Sequence, residues 1–325
     1  MSSPSKPRPR VYYLSPHADD VAFSCAGSLC ADRLEGLDVT VITVFLSGEQ
    51  AAARRAEDEQ AYQILDCQYQ TLDLFDAPDR PETDGPLGIF AAYGPEHLGI
   101  TSEVVARLRW YVKPPAAIIA PLAVGGHIDH RIVHEAARAL AFAQKHTLTY
   151  FEDLPYALAA GSVSRRLHAL EAQFVETPGQ DARLTEAVRQ RKSRSVEVSS
   201  LRDLWRKFPL MRRWPPLLRF VACHVLAQKM CAVDETGQRP GPVPCLVPKL
   251  HTVSATDQRR LLAIQAYASQ WPLFARSPQS LLAAFLDYGR TLGPRISDDK
   301  SYDRLWLDTA FGGDVGTLYD GACGT

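Results

Sequence analysis

Two short segments concentrate the side chains that could do chemistry: Pro16-His17-Ala18-Asp19-Asp20 and Gly125-Gly126-His127-Ile128-Asp129-His130. His17 and Asp20 are three residues apart, as are His127 and His130, so a turn entering a helix can aim both members of either pair at one point. Three ligands of imidazole and carboxylate type with an open fourth position make a catalytic zinc site, and no cysteine is needed. Zinc lowers the pKa of its water to about 7 and polarises a carbonyl, which suits hydrolysis of an amide. Asp19, beside a ligand but aimed elsewhere, can take the proton from the attacking water. His127 can face the substrate from the other side, to stabilise an oxyanion or protonate a leaving amine. Asp129 can hold an imidazole in its working tautomer by accepting its other N–H. Each segment also has a plainer use: Asp19 or Asp20 could cap a helix, and His130 with His134, at i,i+4, could be a metal pair or a polar face. His134 is read as structural, and His97, His146, His168, His224 and His251 have no partner pattern.

Strands and helices must bring these segments together. Arg10 to Ser15 reads as a short apolar strand, followed by a turn at Pro16 and a helix from Asp20 to Glu35. Asp38 to Leu46 is β-branched without polar alternation, as in a parallel strand buried on both faces. Ala51 to Leu65 is helical by propensity, Thr71 to Phe75 a strand, Ser102 to Val112 a helix, Ala116 to Ala123 a buried strand, His127 to Gln144 a helix and Thr147 to Phe151 a strand. This alternation predicts an α/β fold: a Rossmann-like, mostly parallel sheet with helices on both faces, followed by a largely helical C-terminal elaboration. In such sheets ligands sit at the carboxyl ends of the strands, where both segments fall. No GxGxxG follows the first strand and no GxxxxGK[ST] loop is present, so dinucleotide and P-loop chemistry lose support. The GGDVG run near Gly312 reads as a turn.

The chain has 325 residues, 46% hydrophobic and 22% charged, which excludes disorder for its bulk. Lys and Arg number 36 against 37 Asp and Glu, a net charge of −1, which argues against a protein built around nucleic acid. No apolar run approaches the roughly 18 residues of a membrane span, and the first residues lack a signal peptide's apolar core, so a cytoplasmic protein is expected. The 7 cysteines form no CxxC pair and are expected as free thiols. Residues 183–219 carry eleven Lys or Arg against three acidic residues, with Trp205, Phe208 and Trp214 interleaved. Such a stretch could bind an anionic partner, but a solvated helical cover is the preferred reading. Pro240 to Pro248 reads as a stiff connector.

The two segments resemble the (A/P)-H-x-D-D and H-x-D-H patterns of the zinc-dependent LmbE-like or PIG-L de-N-acetylases, which remove acetyl from N-acetylglucosamine units of glycolipids, thiol pseudodisaccharides and antibiotics. The resemblance implies Zn2+ on His17, Asp20 and His130, with Asp19 as general base and His127 as the oxyanion-stabilising acid. Arg54-x-x-Glu57 followed by Ile64-Leu65 resembles the family's helix, in which the arginine helps bind substrate. Leu72 to Pro78, which contains Asp76, resembles the segment after the third strand, where an acidic residue can hold sugar hydroxyls. Tyr150 to Tyr156 and Ala266 to Gln270 also look like segments of the antibiotic-type branch. Val21 stands where many members have Glu, and Leu65-Asp66 where Leu-Gly usually closes the second helix. Both weaken transfer of a glucosaminyl-inositol substrate.

The expected organisation is a disordered tail at 1–9, a Rossmann-like catalytic core at 10–160, a helical, basic insertion or lid at 161–250, and a C-terminal segment at 251–325 that packs back on the core. The expected function is zinc-dependent removal of an N-acetyl or related acyl group from an amino sugar or glycosylated metabolite. One alternative is an amidase acting on a thiol conjugate of a glucosaminyl-inositol cofactor. Another is a catalytically inactive metal- or anion-binding module.

Overall fold

Runs of β-branched and aliphatic residues form the centre of the fold. The computed structural model describes residues 8–81, 83, 88–159, 161–174 and 243–311. The basic stretch 183–219, the GGDVG run, His224 and the start of the proline-rich connector lie outside the described residues. Strands β1 (Arg10–Ser15), β2 (Asp38–Phe45), β3 (Gln68–Leu74), β4 (Ala117–Pro121) and β5 (Thr147–Phe151) are parallel neighbours in the order β3-β2-β1-β4-β5. β2 and β4 are buried along almost their whole length, because helices cover both faces.

The helices are α1 (Asp20–Ser24), α2 (Ala26–Leu34), α3 (Ala51–Ile64), α4 (Leu98–Tyr111), α5 (Ile128–Gln144) and α6 (Ser162–Ala169). The single helix expected over Asp20 to Glu35 is broken at Cys25, whose φ of −145° interrupts it between α1 and α2. α4 begins at Leu98, directly after a 3-10 turn at Pro95–His97 in which the His97 Nδ1 accepts the Gly94 N–H at 3.1 Å.

Beyond residue 160 the described chain adds β6 (Gln173–Phe174), β7 (Cys245–Ser254), α7 (Gln258–Ala266), α8 (Trp271–Phe274), α9 (Pro278–Thr291) and β8 (Lys300–Asp308). β8 runs antiparallel between β5 and β7, and the full order is β3-β2-β1-β4-β5-β8-β7-β6 in one 8-stranded sheet. The stiff connector expected over Pro240 to Pro248 is instead strand from Cys245 onward, and β7 continues unbroken across residue 250. Among the described residues β6 pairs with Cys245 and Leu246 at the start of β7. Among the described residues Cys25, Cys30, Cys67 and Cys245 are free, and no helix is long and apolar enough to cross a membrane.

From β1 the chain crosses to β2 on one side, while β4 pairs on the other. Connections leaving β1 and β4 therefore diverge, and a crevice opens at their carboxyl ends. Pro16 to Asp20 leaves β1 and Val124 to His130 follows β4, so the topology itself brings the two segments to one place.

Candidate active site

Asp20 opens α1 and is buried, and its Oδ2 accepts the His17 backbone N–H at 2.8 Å. That same oxygen lies 3.3 Å from His17 Nδ1 and 3.3 Å from His130 Nε2. The far nitrogen of each imidazole is held by another carboxylate. His17 Nε2 lies 2.8 Å from Asp129 Oδ2 and His130 Nδ1 lies 2.6 Å from Asp153 Oδ1, and since a carboxylate only accepts, these nitrogens are assigned the ring protons. In a neutral ring so anchored, the nitrogen nearest Asp20 presents a lone pair. Two imidazole nitrogens and a carboxylate oxygen thus converge, a donor set suited to a cation that takes the place of the second His17 proton. Ligands about 2.0–2.1 Å from a tetrahedral zinc stand roughly 3.3 Å apart, so the donor set fits such an ion.

The electrostatics run the same way. Burial opposes a charge on His17, but its bonds to Asp129 and Asp20 prevail and push its pKa up to about 10. Burial would raise Asp20, yet His130 and His17 bring it down to about 2. The cluster favours positive charge at its centre. Burial likewise raises Asp153, opposed by its bond to His130.

His127 belongs to the same cluster, since His17, His127 and His130 each offer a ligand nitrogen within 4.8 Å of the others. Its role differs from theirs. It occupies the N-cap of α5, where its Nδ1 accepts the Asp129 N–H at 3.2 Å. The neutral ring then carries its proton on Nε2. Burial and the neighbouring His17 hold its pKa well below the usual imidazole range, which keeps it neutral.

Asp19 stands before α1 but its side chain makes no cap bond, so the capping alternative does not describe it. Its φ of 93° is unusual for a residue with a side chain, the kind of backbone strain found where a site dictates conformation. Ser15 braces this turn, donating to the His17 carbonyl at 2.7 Å and accepting the Val21 N–H at 3.2 Å. Burial and the adjacent Asp20 charge raise Asp19 well above the usual carboxylate range, offset in part by Arg54 and His17. Arg54 and Asp76, expected to touch substrate, pair with each other at 2.7 Å and are both largely buried.

Asp129 serves His17, while Asp153 serves His130 and also accepts the Val124 N–H at 2.7 Å. Asp153 escaped sequence reasoning as a site residue, although the segment containing it resembled the family. Its position directly after β5, at the same sheet edge as the other two segments, was the signal available. His134 is structural, with its Nδ1 at 2.9 Å from the Pro121 carbonyl and its ring stacked on Tyr150. Two other family-like segments tie the C-terminal helices to α3. Glu57 accepts both the N–H and the hydroxyl of Ser269, each at 2.7 Å, and Tyr267 donates to Asp58 at 2.8 Å.

Residues 12–141 match the family model described as PIG-L, GlcNAc-PI de-N-acetylase. The chain is 34% identical over 167 residues to the 2'-N-acetylparomamine deacetylase of Streptomyces fradiae, an alignment covering 46% of this chain and 58% of that protein. Among solved structures, the zinc-inhibited form of teicoplanin deacetylase Orf2 superposes with a TM-score of 0.58 at 17% identity, covering 92% of this chain and 97% of the other. The A40926 pseudoaglycone deacetylase Dbv21 superposes with a TM-score of 0.55 at 19% identity, covering 95% and 100%. These two likenesses establish a shared fold.

Proposed function

Because residues 12–141 match the family model of the PIG-L de-N-acetylases, we propose that the protein is a zinc-dependent deacetylase acting on an N-acetylated amino sugar of a glycosylated small molecule. The observation that carries this reading is the convergence of the His17, Asp20 and His130 acceptor atoms, with Asp129 and Asp153 holding the opposite imidazole protons. Those three residues would hold the metal. When bound, zinc supplies a Lewis acid that polarises the amide carbonyl and acidifies the attacking water.

The remaining steps belong to the chain's own side chains. Asp19 accepts the proton of the attacking water, and its placement beside Asp20 puts it next to the reacting atoms. His127 meets the developing oxyanion with its Nε2–H from the opposite side. Asp129, beyond its role in catalysis through His17, also binds the first turn of α5 to the site. Arg54, close enough to act on the Asp19 charge, is assigned to substrate binding, and its partner Asp76 to sugar hydroxyls. Substrate class is supported by the curated relative, a deacetylase of an N-acetylated paromamine.

Residues 10–160 carry the chemistry, the part of 161–250 that precedes β7 is assigned to substrate selection, and the chain from β7 onward closes the sheet. The free thiols among the described residues suit a reducing, cytoplasmic setting. The test combines metal analysis of the purified protein with acetate release across a panel of N-acetylated sugars and aminoglycoside intermediates. Asp19→Ala is expected to bind zinc normally and lose about 10² to 10⁴ in kcat. Acetate release from none of the panel, or an unchanged rate in Asp19→Ala, overturns the reading.

A further inference from the structure

Asp129 is fully buried, and a buried carboxylate needs partners on both oxygens to stay in one orientation. Oδ2 accepts from His17 Nε2 at 2.8 Å and from the Ala77 N–H at 2.9 Å. Oδ1 has no hydrogen-bond partner and is held by charge alone, 2.6 Å from Arg80 Nη1. We propose that Arg80, by gripping Asp129 from the side opposite His17, is the positioning residue that aims the His17 lone pair at the metal.

Arg80 cannot act on substrate directly, because it is itself buried. Its surroundings fix it tightly. Nη1 also donates to the Phe75 carbonyl at 3.0 Å, and the guanidinium lies over the Phe45 ring at 5.1 Å. The same ring has the His17 imidazole as a neighbour, with centroids 6.2 Å apart. Phe45 therefore touches the two groups that Asp129 joins, and Arg80, Asp129, His17 and Phe45 form a closed ring of contacts.

The chain builds this grip from one short turn after β3. Ala77–Asp79 is a 3-10 turn with a proline near its start, and Arg80 follows it directly. The first N–H of such a turn has no partner within it, so Ala77 can donate to Asp129 while Arg80 reaches the other oxygen. Without Arg80, one oxygen of Asp129 loses its anchor and the carboxylate can turn about its last bond. His17 Nε2–H then loses its fixed acceptor, and with it the tautomer that leaves Nδ1 free. Arginine suits the task because its rigid, planar guanidinium, lying over Phe45, holds one nitrogen, Nη1, between the carboxylate and the Phe75 carbonyl, which a lysine ammonium at the end of a flexible stem does less well. A role in mere packing predicts none of this coupling.

The inference rests on the reading of His17 as a metal ligand, and its test separates the two. The full chain is stripped with a chelator and titrated with zinc against a chromophoric competitor, for wild type, His17→Ala, Arg80→Met, Arg80→Lys, Asp129→Asn and the Arg80→Met/Asp129→Asn double variant. Loss of an outer partner of a ligating histidine typically weakens binding by about 10- to 100-fold, and Arg80→Met is expected near the lower figure. Arg80→Lys recovers part of the affinity, and Arg80→Met adds nothing in the Asp129→Asn background. Wild-type affinity in folded Arg80→Met, or an equal loss with and without Asp129, overturns the inference while the metal reading stands. Equal binding by wild type and His17→Ala overturns both. Arg80→Gln, which keeps a donor for the Phe75 carbonyl, carries the same test if Arg80→Met does not fold.

Discussion

Within the histidine cluster, the protons decide which ring does what. His17 and His130 each spend one N–H on a buried carboxylate and turn a lone pair inward, whereas His127 spends its lone pair on the Asp129 N–H and turns a proton inward. On the proposed reading, three histidines of one type divide into two ligands and one donor. The sequence made His17, Asp20, His127 and His130 legible through spacing alone, because each pair is local. Asp153 and Arg80 were not legible, since they act across 23 and 49 residues of chain and nothing near either of them in sequence marks a partner. The division predicts different losses at different positions. Asp153→Asn should weaken metal binding by about 10- to 100-fold, with KM unchanged once metal is saturating. His127→Ala should keep metal affinity and lose about 10² to 10³ in kcat. Metal titration followed by steady-state kinetics checks both, and a His127→Ala variant that loses zinc would make that ring a ligand instead.

At the scale of elements, the loop after β4 is the most constrained part of the site. Gly125 has φ +87°, and a Cβ built on it would stand 2.6 Å from the Tyr156 Cγ. The Tyr156 ring in turn lies edge-on to His130, with centroids 6.0 Å apart. The glycine thus lets the loop after β4 pass under the turn that follows β5, and this passage sets where α5 starts. Gly125→Ala should cost about 2 kcal/mol through backbone strain and the displaced ring. It should also move His127 and His130, so activity is expected to fall further than the melting temperature alone explains. Equal, small losses in both would show that the loop has room to spare. The parallel strands around this loop were readable because their residues are uniformly apolar. β8 was not, because Asp303 and Arg304 interrupt its run with charges. Those charges are buried and satisfied by distant elements. Asp303 accepts the N–H and hydroxyl of Ser28, and Arg304 Nε donates to Glu152 at 2.5 Å. No local pattern announces a buried charge whose partner lies more than a hundred residues away.

For the molecule as a whole, the same distant pairing makes folding sensitive to pH away from the site. Asp32, on α2 beneath the sheet, is 2% exposed and accepts the Tyr13 hydroxyl at 2.6 Å. Burial raises its pKa to about 7, against the pull of the Tyr13 bond and with a smaller push from Glu35. In the unfolded chain the same carboxyl titrates near 3.9. Between about pH 4 and pH 7 the folded state therefore holds a proton that the unfolded state has released, and stability falls as pH rises through that window. The stabilisation is complete below pH 4 and gone above the folded value. An amide in place of the carboxyl keeps an acceptor for Tyr13 and removes the titration. Asp32→Asn should therefore gain on wild type as pH rises, by on the order of 3 kcal/mol between pH 4 and pH 8, or several degrees in melting temperature. Thermal melts of both proteins across that range decide it. A gap that stays constant with pH would mean that Asp32 is ionised in the folded protein, and that the sheet tolerates a charge beneath β1.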